Sequence, residues 1–147
     1  MAISSHRIVL TCLVGLVLAL LLVGVVSGTV LRHVVQVTPI VMAAALLVRR
    51  PEWGAYAAFP IFIFWLFIVA LIWLFLLGVS RLASGRYTPI EIASTFLMAA
   101  LAIVGLTGGV SVGKPLRVRG RISTVALFAV VQVAAMWLSL LPAIANK

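Results

Sequence analysis

Apolar positions along this chain fall into long runs broken by short polar punctuation. Four runs are unmistakable: residues 8–31, 56–79, 89–110 and 122–141. Each reaches the length of about 20 residues that a helix needs to cross hydrocarbon. Between the first two lies "VVQVTPIVMAAALLV", residues 34–48, with Gln36 and Pro39 in its first half. Begun at Val30, this segment crosses a thin bilayer; begun at Pro39, it is only a re-entrant half-helix. The pattern therefore predicts an all-α integral membrane helix bundle in one transmembrane unit, residues 1–147. It has five transmembrane helices, or four plus a half-helix, and five is preferred.

Start signals support these boundaries. "YTPIEI" has the form of a capping box, with Thr88 as N-cap, Pro89 in the first helical position and Glu91 at the third. "RRPEWG" places Pro51 and Glu52 in another first turn. "VTPI" at 37–40 repeats the Thr-Pro-Ile of 88–90. Were Thr38 also an N-cap, the helix proper would begin at Pro39. That is the main argument for the half-helix alternative.

Composition fits the pattern. The 147 residues are 65% hydrophobic and 9% charged, with a mean hydropathy of +1.35. A soluble domain is about 25% charged. The run from Ile8 to Val26 outlasts a signal-peptide core of about 7–15 residues and is expected to be a retained anchor. The single cysteine, Cys12, excludes an internal disulfide and is expected to be a small packing side chain.

Charge adds orientation. The formal net charge is +9, from 11 cations against 2 carboxylates, and all cations but Lys114 and Lys147 are arginine. With five spans, Arg7, Arg49, Arg50, Lys114, Arg117, Arg119 and Arg121 share one side. Arg32, Arg81, Arg86 and Lys147 share the other. The positive-inside tendency then places loops 49–55 and 111–121 in the cytoplasm and the C-terminus outside. A bacterial inner membrane is the expected setting. Lys114, Arg117, Arg119 and Arg121 are candidates for contact with anionic lipid head groups or an acidic protein partner. The cations sit between membrane runs, so no nucleic-acid partner is expected.

Ionisable groups inside a bilayer are costly and mark function. Here they are few. There is no Asp, and Glu52 and Glu91 sit at helix starts where capping accounts for them. No coupled-carrier carboxylate is visible within a span. His6 and His33 are too far apart to ligate one haem, about 40 Å along a continuous helix. No catalytic triad, paired carboxylate, metal motif or phosphate-binding loop is present, so neither enzyme activity nor a cofactor or metal is expected. What remains is Arg32, His33 and Gln36, which share a face if helical, and Gln132 near mid-span. The trio reads either as an interfacial loop or as a polar site at the membrane rim. Gln132 reads as interhelical glue or as a ligand contact.

Small residues suggest packing. Gly24 and Gly28 form GxxxG, and Gly105, Gly109 and Gly113 form it twice. The stretch 52–75 holds nine aromatics, expected to be mainly lipid-facing bulk and packing. The leading expectation is a non-catalytic accessory or assembly subunit, packed against another membrane protein or itself within the lipid bilayer. The alternative is a small permease, channel or lipid/quinone-binding module using Arg32, His33, Gln36 and Gln132.

Overall fold

The computed structural model describes residues 5–81, 87–110, 112 and 116–145. It is 88% helical, with no strand among the described residues. Five helices are long and apolar enough to cross a membrane. These are α1 (Ser5–Val26), α2 (Val30–Arg49), α3 (Pro51–Leu76), α4 (Pro89–Val110) and α5 (Val118–Ser139); a short α6 (Pro142–Ala145) follows. The chain is a multi-pass membrane protein.

Helices α1 to α4 form a ring in which each packs on the helices before and after it, and α4 closes onto α1. Helix α5 lies outside the ring, in the groove between α2 and α3. The core is the inward stripe of each ring helix. It includes Leu13 and Leu16 of α1, Ile40 and Leu47 of α2, Ile61 and Phe62 of α3, and Ala102 of α4, all at most 1% exposed. Among apolar side chains in lipid, such contact works through close fit and dispersion rather than water release.

The segment left open by the sequence is a full helix. Helix α2 starts at Val30, nine residues before Pro39, and runs through it to Arg49. The half-helix alternative fails because Thr38 is not a cap: its hydroxyl donates to the Val34 carbonyl within the helix, at 3.1 Å. Thr88, by contrast, is the cap predicted. Its backbone N–H donates to Glu91 Oε2 at 2.6 Å, and the Glu91 N–H donates to Thr88 Oγ1 at 3.3 Å. The repeated Thr-Pro-Ile therefore sits in two unlike environments.

Boundaries also shift. The first span ends at Val26 rather than Leu31, because Gly28 adopts φ +68° and terminates α1. The Thr29 N–H bonds the Gly24 carbonyl at 2.8 Å, and the Gly28 N–H bonds that of Val25 at 3.3 Å. These are the two bonds of a Schellman cap. Gly78, at φ +73°, ends α3 identically, through Val79 to Leu74 and Gly78 to Phe75, both at 2.9 Å. At the opposite end only Arg50 separates α2 from α3. The third span accordingly begins at Pro51, five residues earlier than expected, and the fifth at Val118 rather than 122.

Candidate functional site: a polar cavity at one end of the bundle

Antiparallel order brings the C-terminal ends of α1 and α3 together with the N-terminal ends of α2 and α4. A cavity of about 270 Å³ opens among them. Its wall carries Arg32, His33 and Gln36 from α2, and Tyr87 and Glu91 from the start of α4. Leu20, Ile68 and Met98 supply an apolar part of the wall, and Met136 reaches it from α5.

The trio from "RHVVQ" is thus helical and shared by one site, not an interfacial loop. Spacing explains the grouping, since positions i, i+1 and i+4 cover one sector of an α-helix. His33 is 9% exposed and Gln36 3%. Such burial requires partners. His33 Nδ1 lies 3.0 Å from the Thr29 carbonyl and 3.2 Å from its hydroxyl. A carbonyl only accepts, so Nδ1 carries the proton and Nε2 is the acceptor of the neutral ring. Ser27 extends this anchor: its hydroxyl donates to the Val23 carbonyl at 2.8 Å and lies 2.6 Å from that of Thr29. Gln36 Nε2 donates to Ser139 Oγ at 2.9 Å and to Met136 Sδ at 3.3 Å, tying α2 to α5. Among the described residues, His33 Nε2 and Gln36 Oε1 have no protein partner.

Arg32 and Glu91 line the same cavity with opposite charge, yet no ion pair within 4.0 Å joins them. Arg32 Nε is buried without a hydrogen-bond partner. Both charges act on the Tyr87 hydroxyl. Partial burial pushes the Tyr87 pKa up, Glu91 pushes it further, and Arg32 opposes. Trp65, 3% exposed, also borders the cavity, and its indole N–H has no partner. Trp73, farther along α3, donates to Thr95 Oγ1 at 2.9 Å. The third-span aromatics are therefore divided. Phe62 and Trp65 are core, at 1% and 3% exposure, whereas Phe59 and Phe67 are exposed.

The other expected site residues lie elsewhere. Gln132 is not on the cavity. It is fully buried where α5 meets α2 and α3, and both amide atoms lack a partner, so it does not bond helices together. Gly24 packs on His33, and Gly105 on the Phe62 ring, so both serve the bundle interior. Gly109 has only Val9 near it, at 4.0 Å from where its Cβ would lie. Gly28 is not a packing residue: it lies in the turn beyond α1, its chain reversal requiring positive φ, and nothing approaches it. Gly113 and Lys114 lie outside the described residues. Arg117 and Arg119 are exposed at the opposite end. Arg121 Nε donates to the Leu116 carbonyl at 2.7 Å, and its guanidinium lies 5.5 Å from the centre of the Tyr56 ring. Cys12 is buried.

Sequence reasoning missed Glu91, Tyr87 and Trp65 as members of the site. Glu91 satisfied a capping pattern, which hid its second position on the cavity wall. It is one of only two carboxylates in the chain, and that scarcity was the available signal. Among the described residues, no group of three His, Cys, Asp or Glu side chains is placed to hold a metal. No protein-family model, curated protein or solved structure matches this chain.

Proposed function

We propose that this protein is a non-catalytic membrane module that binds a small amphipathic ligand in the cavity between α1, α2, α3 and α4. The observation carrying the reading is the convergence there of Arg32, His33, Gln36, Tyr87 and Glu91 above an apolar wall. Buried polar groups are normally satisfied inside the protein. On this cavity Arg32 Nε and the Trp65 indole N–H are buried without a partner, and no hydrogen bond within the protein engages His33 Nε2 or Gln36 Oε1 among the described residues. An accessory-subunit role draws less support from the same structure. Gly24 and Gly105, small residues whose spacing suggests close helix contact, are covered by His33 and Phe62 of this chain itself.

We further propose a bacterial inner-membrane setting with the arginine-rich end cytoplasmic. Arg7, Arg49, Arg50, Arg117, Arg119 and Arg121 lie at that end, and Arg32 and Arg81 at the cavity end. This imbalance supports a cytoplasmic arginine-rich end, where Arg117, Arg119 and Arg121 would meet anionic head groups. The cavity then faces the opposite surface.

The deciding experiment is native mass spectrometry of the full-length protein released from membranes in mild detergent. A stoichiometric small molecule is expected on the unaltered protein and is expected to be lost in Ile72→Trp, which fills the cavity wall. A protein that carries nothing, or that keeps its ligand in Ile72→Trp, overturns the reading.

A further inference from the structure

The ligand-binding reading leaves the chemistry of the ligand open, and the charges on the cavity wall narrow it. Arg32 on α2 and Glu91 on α4 carry opposite charges without pairing to each other. A purely anionic ligand would compensate Arg32 and be repelled by Glu91; a purely cationic one would do the reverse. Only a ligand carrying both signs answers both groups.

Hydrogen-bonding capacity narrows it further. Acceptors of wall residues that no hydrogen bond within the protein engages, among the described residues, include His33 Nε2, Gln36 Oε1 and the Glu91 oxygen not bonded to Thr88. His33 and Gln36 are each at least nine-tenths buried, so these acceptors are fixed in place. A primary ammonium group offers three N–H donors, whereas a quaternary ammonium offers none. The guanidinium of Arg32 suits a phosphate or carboxylate. The N-terminal ends of α2 and α4 and the C-terminal ends of α1 and α3 all lie here, so the helix dipoles present both signs at this end rather than one. The volume, about 270 Å³, is that of a head group or small metabolite rather than a whole lipid, and Leu20, Ile68 and Met98 border the apolar remainder.

We propose that the cavity receives a zwitterion with a primary ammonium group and an anionic group. Arg32 takes the anion, and Glu91, Gln36 and His33 take the ammonium. This rests on the ligand-binding reading above. A phosphoethanolamine lipid head group and a free zwitterion share this chemistry.

The test uses full-length protein in detergent, with binding read by native mass spectrometry and thermal shift. The probes are phosphatidylethanolamine, phosphatidylcholine and phosphatidylglycerol with identical acyl chains, and free glycerophosphoethanolamine. Phosphatidylethanolamine is expected to bind about tenfold more tightly than the other two lipids. Glu91→Gln retains the capping box, because glutamine also serves at that position. It is expected to erase the preference over phosphatidylglycerol, while Glu91→Asp, which keeps the charge, retains part of it. Arg32→Gln is expected to weaken all three phospholipids about tenfold. Free glycerophosphoethanolamine binding as tightly as the lipid would support the class and identify a soluble source. Weaker binding of the free head group would support the class with a lipid source. Phosphatidylglycerol binding as tightly as phosphatidylethanolamine, with no effect of Glu91→Gln, would overturn the zwitterion and leave the cavity reading standing. Equal binding of phosphatidylcholine would overturn the primary-ammonium assignment. Absence of binding by every probe, while an unrelated ligand disappears in Ile72→Trp, overturns this inference alone. Absence of any ligand sensitive to that substitution overturns both.

Discussion

At one end of the bundle Arg49, Arg50, Arg117 and Arg119 are exposed, and Arg121 lies over Tyr56. At the other, Arg32 is half-buried on a cavity wall with Glu91, His33 and Gln36. The same side-chain type follows different rules at the two ends. Exposed arginines beside a membrane surface act additively and through total charge. An arginine whose Nε is buried without a partner acts through position, and its neighbours decide what it contacts. The backbone follows the same division. At the arginine-rich end a single residue, Arg50, links α2 to α3, with α3 pressed on α2. The cavity end has two glycine-terminated helices, and nothing lies within 4 Å of where a Cβ would stand on either glycine.

The largest test of that contrast is Gly54→Ala. A Cβ at Gly54 would overlap the backbone of Leu47, so a helix must move. We expect a loss of about 3 kcal/mol, visible as a lowered Tm in detergent. Gly28→Ala and Gly78→Ala meet no obstacle, but each forces alanine into positive φ. These should cost about 1 kcal/mol apiece. Equal losses at Gly54 and Gly78 would erase the distinction between a backbone contact and a cap.

Two buried glutamines sharpen the comparison. Gln36 is bonded to Ser139 and Met136, while Gln132 has no partner at all. Replacing Gln132 with Met removes an uncompensated amide at similar volume, and stability should rise by about 1–2 kcal/mol. Gln36→Leu should lower it by about 1 kcal/mol through the lost tie between α2 and α5. If both substitutions lower Tm, Gln132 is satisfied by something that native mass spectrometry should find. At the arginine-rich end, Arg119→Gln should change stability by less than about 0.5 kcal/mol. Combined with Arg117→Gln, it should instead reduce retention on anionic vesicles.

The smallest expected effect is spectroscopic. Tyr87 is pushed to a higher pKa by burial and by Glu91. In a Tyr56→Phe background the phenolate absorbance should therefore appear later, as pH rises, than in a free tyrosine. The stabilisation linked to the neutral phenol is complete below the unfolded pKa, about 10, and is lost as pH climbs through the folded value. Glu91→Gln should move this titration back toward lower pH.

Much of the architecture is legible in the sequence alone. The spans over 89–110 and 122–141 follow from run length, and Thr88 with Glu91 from capping chemistry. Helix α2 was harder because Gln36 and Pro39 dilute its apolar signal. The tertiary packing that buries Gln36 against α5 carries no local signature. The site was half-visible for a related reason. Arg32, His33 and Gln36 are neighbours along one helix, so their spacing announces a shared face. Glu91 joins them only because α4 closes the ring against α1, and ring closure is a long-range event. Gly28 misled through its spacing from Gly24, since a Gly four residues on fits a packing motif and a helix terminator equally well. Gly54, where α3 meets α2, stood outside any repeated spacing.

The one-residue join at Arg50 also bears on how the chain enters the bilayer. Helix α2 is the least apolar of the five, tied closely to α3, one of the most apolar. With so little chain between them, neither can complete its crossing while the other waits in water. The pair must partition as a hairpin, with α3 supplying the drive to carry His33, Gln36 and Pro39 into hydrocarbon. The cavity's polar wall would thus owe its place in the membrane to a neighbour that contributes little polarity of its own.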